Sequence, residues 1–136
     1  MSDLTRPSRP IYRNIRVDQL ANYRLPAAGC ISILHRISGV VMFVALPFVL
    51  YLLDKSLTSE VSFTAFKAVT SHWFTKLVLL VLIWAYLHHS IAGIRHLFMD
   101  AHLFLEKESG RRSALTVFAV SLVLWLAFAL KLFGAF

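Results

Sequence analysis

Residues 76–100, KLVLLVLIWAYLHHSIAGIRHLFMD, carry no charge between Lys76 and Arg95. A helix crossing a bilayer needs about 20 mostly apolar residues, so this stretch reads as a membrane span. Two further stretches repeat the pattern. One opens at Pro26, a residue favoured at the first helical position, and is uncharged from Ile37 to Leu53, where Asp54 and Lys55 should stop it. The other is uncharged from Ser113 to Leu130, between Arg112 and Lys131. Three spans at about 26–53, 72–100 and 113–133 make residues 26–136 a membrane unit behind a tail of residues 1–25. Pro47 inside the first span should bend it, which a membrane helix tolerates when neighbours satisfy the freed carbonyl.

The composition agrees. Of 136 residues, 58% are hydrophobic and 15% charged, against about 45–50% and about 25% in soluble domains. An all-α membrane protein follows, and little chain remains for a soluble catalytic domain, so no catalytic residue is expected here. The single cysteine, Cys30, excludes an internal disulfide framework, a Cys-rich zinc site or an iron–sulfur cluster. No cleavable signal peptide is expected, since the first apolar run is too long and starts too late; Asp3 and Asp18 argue against a transit peptide.

The net charge of +7 is not a nucleic-acid signal. Arg6, Arg9, Arg13, Arg16, Arg24 and Arg36 gather before the long apolar run, as on the cytoplasmic flank of a membrane segment. Arg95, Lys107, Arg111 and Arg112 mark the second connection, whereas the C-terminus holds only Lys131. The expected orientation is therefore a cytoplasmic amino end and a periplasmic carboxyl end. Between the first two spans, Val61, Phe66, Val69 and Trp73 stand at helix-like spacing, which suits either an amphipathic turn on the membrane surface or a simple loop. The second connection should turn at Ser109-Gly110.

Polar residues inside the spans carry the chemistry. Ser32, His35, Arg36 and Gly39 fall at i, i+3, i+4 and i+7, one face of a helix. A central arginine costs roughly 2.5–3.5 kcal/mol on insertion scales. Arg36 either snorkels to headgroups or faces a ligand, and the company it keeps favours the ligand. His89, Gly93 and His96 share a second face, with His88 about 100° away. Gly93 suits either a flat macrocycle against the helix or a close helix–helix contact. Levelling Arg36 with Arg95 puts His35 beside His96 and His89 roughly 9 Å deeper. A b-type haem fits: His89 as axial ligand, and propionates meeting His35, Arg36, Arg95 and His96. No other histidine lies level with His89 in this register, so a second axial histidine must come from another subunit.

The segments Ser32-Ile-Leu-His-Arg-Ile-Ser-Gly39 and His89-Ser-Ile-Ala-Gly-Ile-Arg-His-Leu-Phe-Met-Asp100 resemble the two hallmark motifs of the cytochrome b556 membrane-anchor family of succinate dehydrogenase. The resemblance runs over essentially the whole chain, including Arg9-Pro10. It implies pairing with a second hydrophobic anchor into a helical bundle in the inner membrane. It further implies docking of a flavoprotein and an iron–sulfur subunit, and electron flow from succinate to ubiquinone. Carried over by motif, His89 would be the axial ligand of a haem b shared with the second anchor. Ser32 and Arg36 would line the quinone site. Arginine cannot supply protons at ordinary pH, so Asp100 and Glu106 are candidate relays or else ordinary solvated loop acids. A fumarate reductase anchor and a haem-free structural anchor are the competing expectations. A transporter is disfavoured, because Ser121 reads as the only uncharged hydrogen-bonding residue from Ala119 to Leu130.

Overall fold

The computed structural model of the protein describes residues 17–20 and 24–134; most of the tail expected at 1–25, with its arginines before Arg24 and Arg9-Pro10, lies outside them. The described residues form helices and no strand. A single turn, α1 (Val17–Leu20), precedes α2 (Ala27–Thr58), α3 (Glu60–Ser71), α4 (Trp73–Asp100) and α5 (Lys107–Leu132). Helices α2, α4 and α5 are each long and apolar enough to cross a membrane, as the three uncharged runs require. The protein is an all-α membrane protein.

The helix ends follow local chemistry rather than the last charge. Pro26 sits at the N-cap of α2, one residue before the helix, with ψ 156°. Its carbonyl accepts the first bond, from Cys30 at 3.1 Å. Asp54 and Lys55, expected to stop this helix, lie inside it, and the helix also continues through Pro47. The break comes at Ser59, whose extended backbone ends α2 and whose side chain accepts from the Ser62 amide in a reciprocal capping box that starts α3. The first connection is therefore a 12-residue helix. Of its expected apolar positions, Val61 is 83% exposed and Val69 is exposed as well, while Phe66 is half-buried. His72 then caps α4, its Nδ1 accepting from the Phe74 amide at 3.3 Å.

The second connection turns earlier than its Ser109-Gly110 pair suggests. Both residues lie within the first turn of α5. The reversal is made at His102 and Phe104, with φ of 62° and 60°, the left-handed region that side chains usually avoid. Gly110 has a packing reason instead: a Cβ there would meet the Phe104 carbonyl oxygen at 3.1 Å.

Helix α4 packs against both α2 and α5. Toward α5 it presents Ala85, His88, Ala92 and Arg95, and α5 answers with Gly110, Ala114, Val117 and Ser121, all buried. Side chains this small let backbones approach, which matters in lipid because tails are as apolar as the helix and contact itself must drive association. Ile31 of α2 joins Ala92, Ala114 and Val117 in the core. Two polar clips hold the ends of the seam. Arg95 donates from Nε to Ser113 Oγ at 2.9 Å and from Nη2 to the Gly110 carbonyl at 3.3 Å. About 22 Å away along α4, the Trp125 indole donates to the Leu80 carbonyl at 2.9 Å. Ser121 is thus not alone in the third span; the indole N–H is a second donor, spent on a neighbouring helix.

His88 is the exception in this seam. It is fully buried, stacked on Trp84 with ring centroids 5.2 Å apart and beside Phe118, and neither ring nitrogen has a hydrogen-bond partner among the described residues. An unsatisfied buried polar group costs about 1–3 kcal/mol. His88→Phe keeps the aromatic stack and removes both orphan nitrogens, so the thermal midpoint of the purified membrane protein should rise. A lower midpoint would show that His88 has a partner.

Candidate functional site

The α2–α4 contact brings together residues more than 50 positions apart in sequence. The imidazoles of His35 and His89 stack with centroids 4.0 Å apart and planes 14° from parallel, while His35 meets His96 edge-on at 5.0 Å. His89 Nδ1 lies 3.0 Å from the His35 backbone oxygen and 3.2 Å from Ser38 Oγ. The Ser38 hydroxyl also donates to the His35 carbonyl, at 2.9 Å. A carbonyl can only accept, so the His89 contact places the proton on Nδ1. That leaves Nε2 with its lone pair and without a hydrogen bond among the described residues.

Two glycines make the approach possible, and each faces a histidine of the other helix. A Cβ at Gly39 would meet His89 Cε1 at 3.0 Å, and one at Gly93 would meet His35 Nε2 at 3.5 Å. Gly93 thus serves a close helix contact. These pairs also correct the expected register. His35 is level with Gly93, between His89 and His96, and Gly39 is level with His89. The expected alignment of Arg36 with Arg95 is off by three residues, roughly 4.5 Å. It failed because Arg95 is not a boundary charge on the histidine face.

Arg95 lies about 100° round the helix from His96. It is 5% exposed and held by α5. Of the four residues expected at the propionates, His35 and His96 are in the cluster, and Arg95 is set apart from it. Arg36 is on the outer side of α2, exposed, with no hydrogen bond or ion pair to the described residues. Ser32, one turn earlier, is half-buried. Asp100 ends α4 and Glu106 caps α5; both are exposed, and neither hydrogen-bonds to the histidines.

The contribution of Ser38 was missed in the sequence. Its position, one turn after His35 and next to Gly39, was the available signal. It is fully buried, and it ties the His35 carbonyl and the His89 ring into one unit.

What this arrangement can hold is set by His89. An imidazole whose Nδ1–H is fixed on a carbonyl presents Nε2 as a metal ligand of defined tautomer and orientation. The residues present therefore fit a haem, which His89 would hold through Nε2; His35 lies face to face against His89 and would not hold the same iron. Among the described residues no three metal-binding side chains converge as they would on one metal ion.

Residues 5–128 match the family model described as succinate dehydrogenase/fumarate reductase transmembrane subunit. The chain is 39% identical over 113 residues to the succinate dehydrogenase cytochrome b556 subunit of Coxiella burnetii, covering 82% of this chain and 89% of that one. It is 34% identical over 124 residues to the protein of the same name from Paracoccus denitrificans, covering 91% and 92%. A bundle of three apolar helices, with paired histidine and glycine positions on α2 and α4, thus comes with two such relatives over most of its length. The chain belongs to the succinate dehydrogenase/fumarate reductase transmembrane subunit family, as a membrane anchor of that enzyme complex.

Proposed function

We propose that this chain holds one side of a haem b and forms part of the ubiquinone-reduction site of a succinate dehydrogenase. The observation that carries the haem half is the His89 Nδ1 contact with the His35 carbonyl at 3.0 Å, which leaves Nε2 free to ligate. The relatives' name, cytochrome b556, points the same way. Haem b bound at His89 would supply a one-electron centre beside the quinone. His35 and His96 flank that ligand, and with Arg36 they offer donors to propionates. The second axial histidine would come from a second anchor subunit, seated against the exposed apolar surface of α2 (Val40, Phe43, Val44, Phe48). The iron–sulfur and flavoprotein subunits would dock at the cytoplasmic end of the bundle. In this reading residues 1–25 lie on that side, residues 26–136 form the anchor in the inner membrane, and the carboxyl end is periplasmic.

For the quinone, Ser32 and Arg36 sit one turn apart on α2. Reduction puts negative charge on a quinone carbonyl oxygen before a proton arrives. A hydroxyl donor and a fixed cation directed at that oxygen stabilise the charge, and the effect is large where water is excluded. Arg36 has no competing partner among the described residues. Since arginine cannot supply a proton at ordinary pH, Asp100 and Glu106 at the same end of the bundle would pass protons from water.

His89→Ala tests the haem assignment. The assembled complex should lose the reduced-minus-oxidised b-type spectrum or show it altered. An unchanged low-spin spectrum would refute the ligand.

The quinone assignment is tested by comparing two assays in one assembled variant complex. Arg36→Ala or Ser32→Ala should leave succinate-dependent reduction of a soluble dye intact. Ubiquinone reduction should fall by about tenfold or more, the effect of losing one hydrogen bond to a charged group. Arg36→Lys should also be impaired, because an ammonium lacks the planar fork. Equal loss in both assays contradicts the assignment.

A further inference from the structure

Several serines of this chain return their hydroxyl to the backbone oxygen three residues earlier, as Ser56, Ser71 and Ser121 do. That local bond asks nothing of a neighbouring helix. Ser38 on α2 and Ser113 on α5 are different. Each forms the same bond and also meets a side-chain nitrogen of α4.

Ser113 shows how the unit works. Its hydroxyl donates to the Gly110 carbonyl at 3.0 Å, while Arg95 reaches its oxygen at 2.9 Å and the same carbonyl at 3.3 Å. A guanidinium only donates, so the hydroxyl and carbonyl oxygens act together as a paired acceptor. Ser38 repeats the arrangement. Its one proton goes to the His35 carbonyl at 2.9 Å, and His89 Nδ1 lies 3.2 Å from its oxygen and 3.0 Å from that carbonyl. With the His89 proton on Nδ1, the hydroxyl oxygen can only accept from it. The ring N–H is shared between two acceptors.

This sharing reaches the other ring nitrogen. Ser38 is fully buried, so bulk water does not compete for the N–H. Acceptors at one imidazole nitrogen push electron density toward the other and strengthen the bond it makes to a metal. The gain is larger for the more highly charged, oxidised ion.

We propose that Ser38 is a positioning residue for the haem ligand. Its hydroxyl oxygen accepts from His89 Nδ1–H, strengthens Nε2 as a ligand and so favours the oxidised haem. The proposal rests on the reading of His89 as the axial ligand.

The test is a redox titration of the b-type spectrum in the assembled complex carrying Ser38→Ala or Ser38→Cys. Alanine removes the acceptor, whereas cysteine keeps nearly the same size with a weakly accepting sulfur. Losing a partner of this kind costs about tenfold or more in metal affinity. A tenfold loss confined to the oxidised form raises a one-electron midpoint by about 59 mV, and both variants should show such a rise. If Ser38→Ala does not assemble, Ser38→Cys decides. Ser121→Ala, which removes a back-bond that meets no ring nitrogen, should leave the midpoint unchanged. A native midpoint in Ser38→Cys overturns the proposal, because a serine that only fills space predicts it. A lowered midpoint overturns it too, since the hydroxyl would then act by weakening the His35 carbonyl as an acceptor. His89→Ala separates the two levels. A native spectrum there refutes the ligand and this proposal with it. Loss of the signal there, beside native midpoints in the Ser38 variants, refutes the role of Ser38 alone.

Discussion

The structure turns on one contact, the His89 ring nitrogen against the backbone oxygen of His35 at 3.0 Å. A backbone carbonyl in mid-helix is already an acceptor within its own helix, and it can take a donor from another helix only if that helix comes very close. Gly39 and Gly93 permit that approach, and Ser38 adds its own hydroxyl to the same carbonyl. Every other feature of the histidine cluster is a consequence. The stacked His35 and His89 rings, the edge contact with His96 and the tautomer of His89 all follow from how near α2 lies to α4.

Helix α4 therefore has two working faces. One carries His89, Gly93 and His96 toward α2 and is left partly open. The other carries Ala85, His88, Ala92 and Arg95 into the seam with α5 and is buried. A polar clip at each end of that seam and small residues between them fix α4 in rotation and depth. Rotation matters to the chemistry, because about 100° separates neighbouring residues. His88 and Arg95 belong to the packing face, although His89 and His96 are their immediate neighbours in sequence.

The spans were legible because lipid imposes a simple rule, an apolar run of sufficient length, and the chain meets it three times. The face containing His89, Gly93 and His96 was legible for the same kind of reason, since helical periodicity fixes which residues share a side. Register between helices was not. It depends on which side chains are small enough to let backbones meet, and Gly39 facing His89 cannot be inferred from spacing along α2 alone. Charge was a poor guide to depth, as Arg95 turned into the seam rather than outward. The ends of α2 and α5 were misjudged because capping by Ser59 and the left-handed turn at His102 and Phe104 decide them. The Trp125 clip was overlooked because an indole reads first as an apolar ring.

The central claim is that helix proximity at Gly39 sets His89 up as a haem ligand. Its most direct measurement is the reduced-minus-oxidised spectrum of the assembled complex carrying Gly39→Val, per mole of this chain, beside Gly29→Ala. A Cβ at Gly29 meets only ordinary contacts, the nearest at 3.5 Å to Pro26, and should leave the b-type signal intact. At Gly39 even the first added carbon falls 3.0 Å from the His89 ring, so valine should push the imidazole off the His35 carbonyl and abolish or shift the signal. A native spectrum in Gly39→Val would contradict the account.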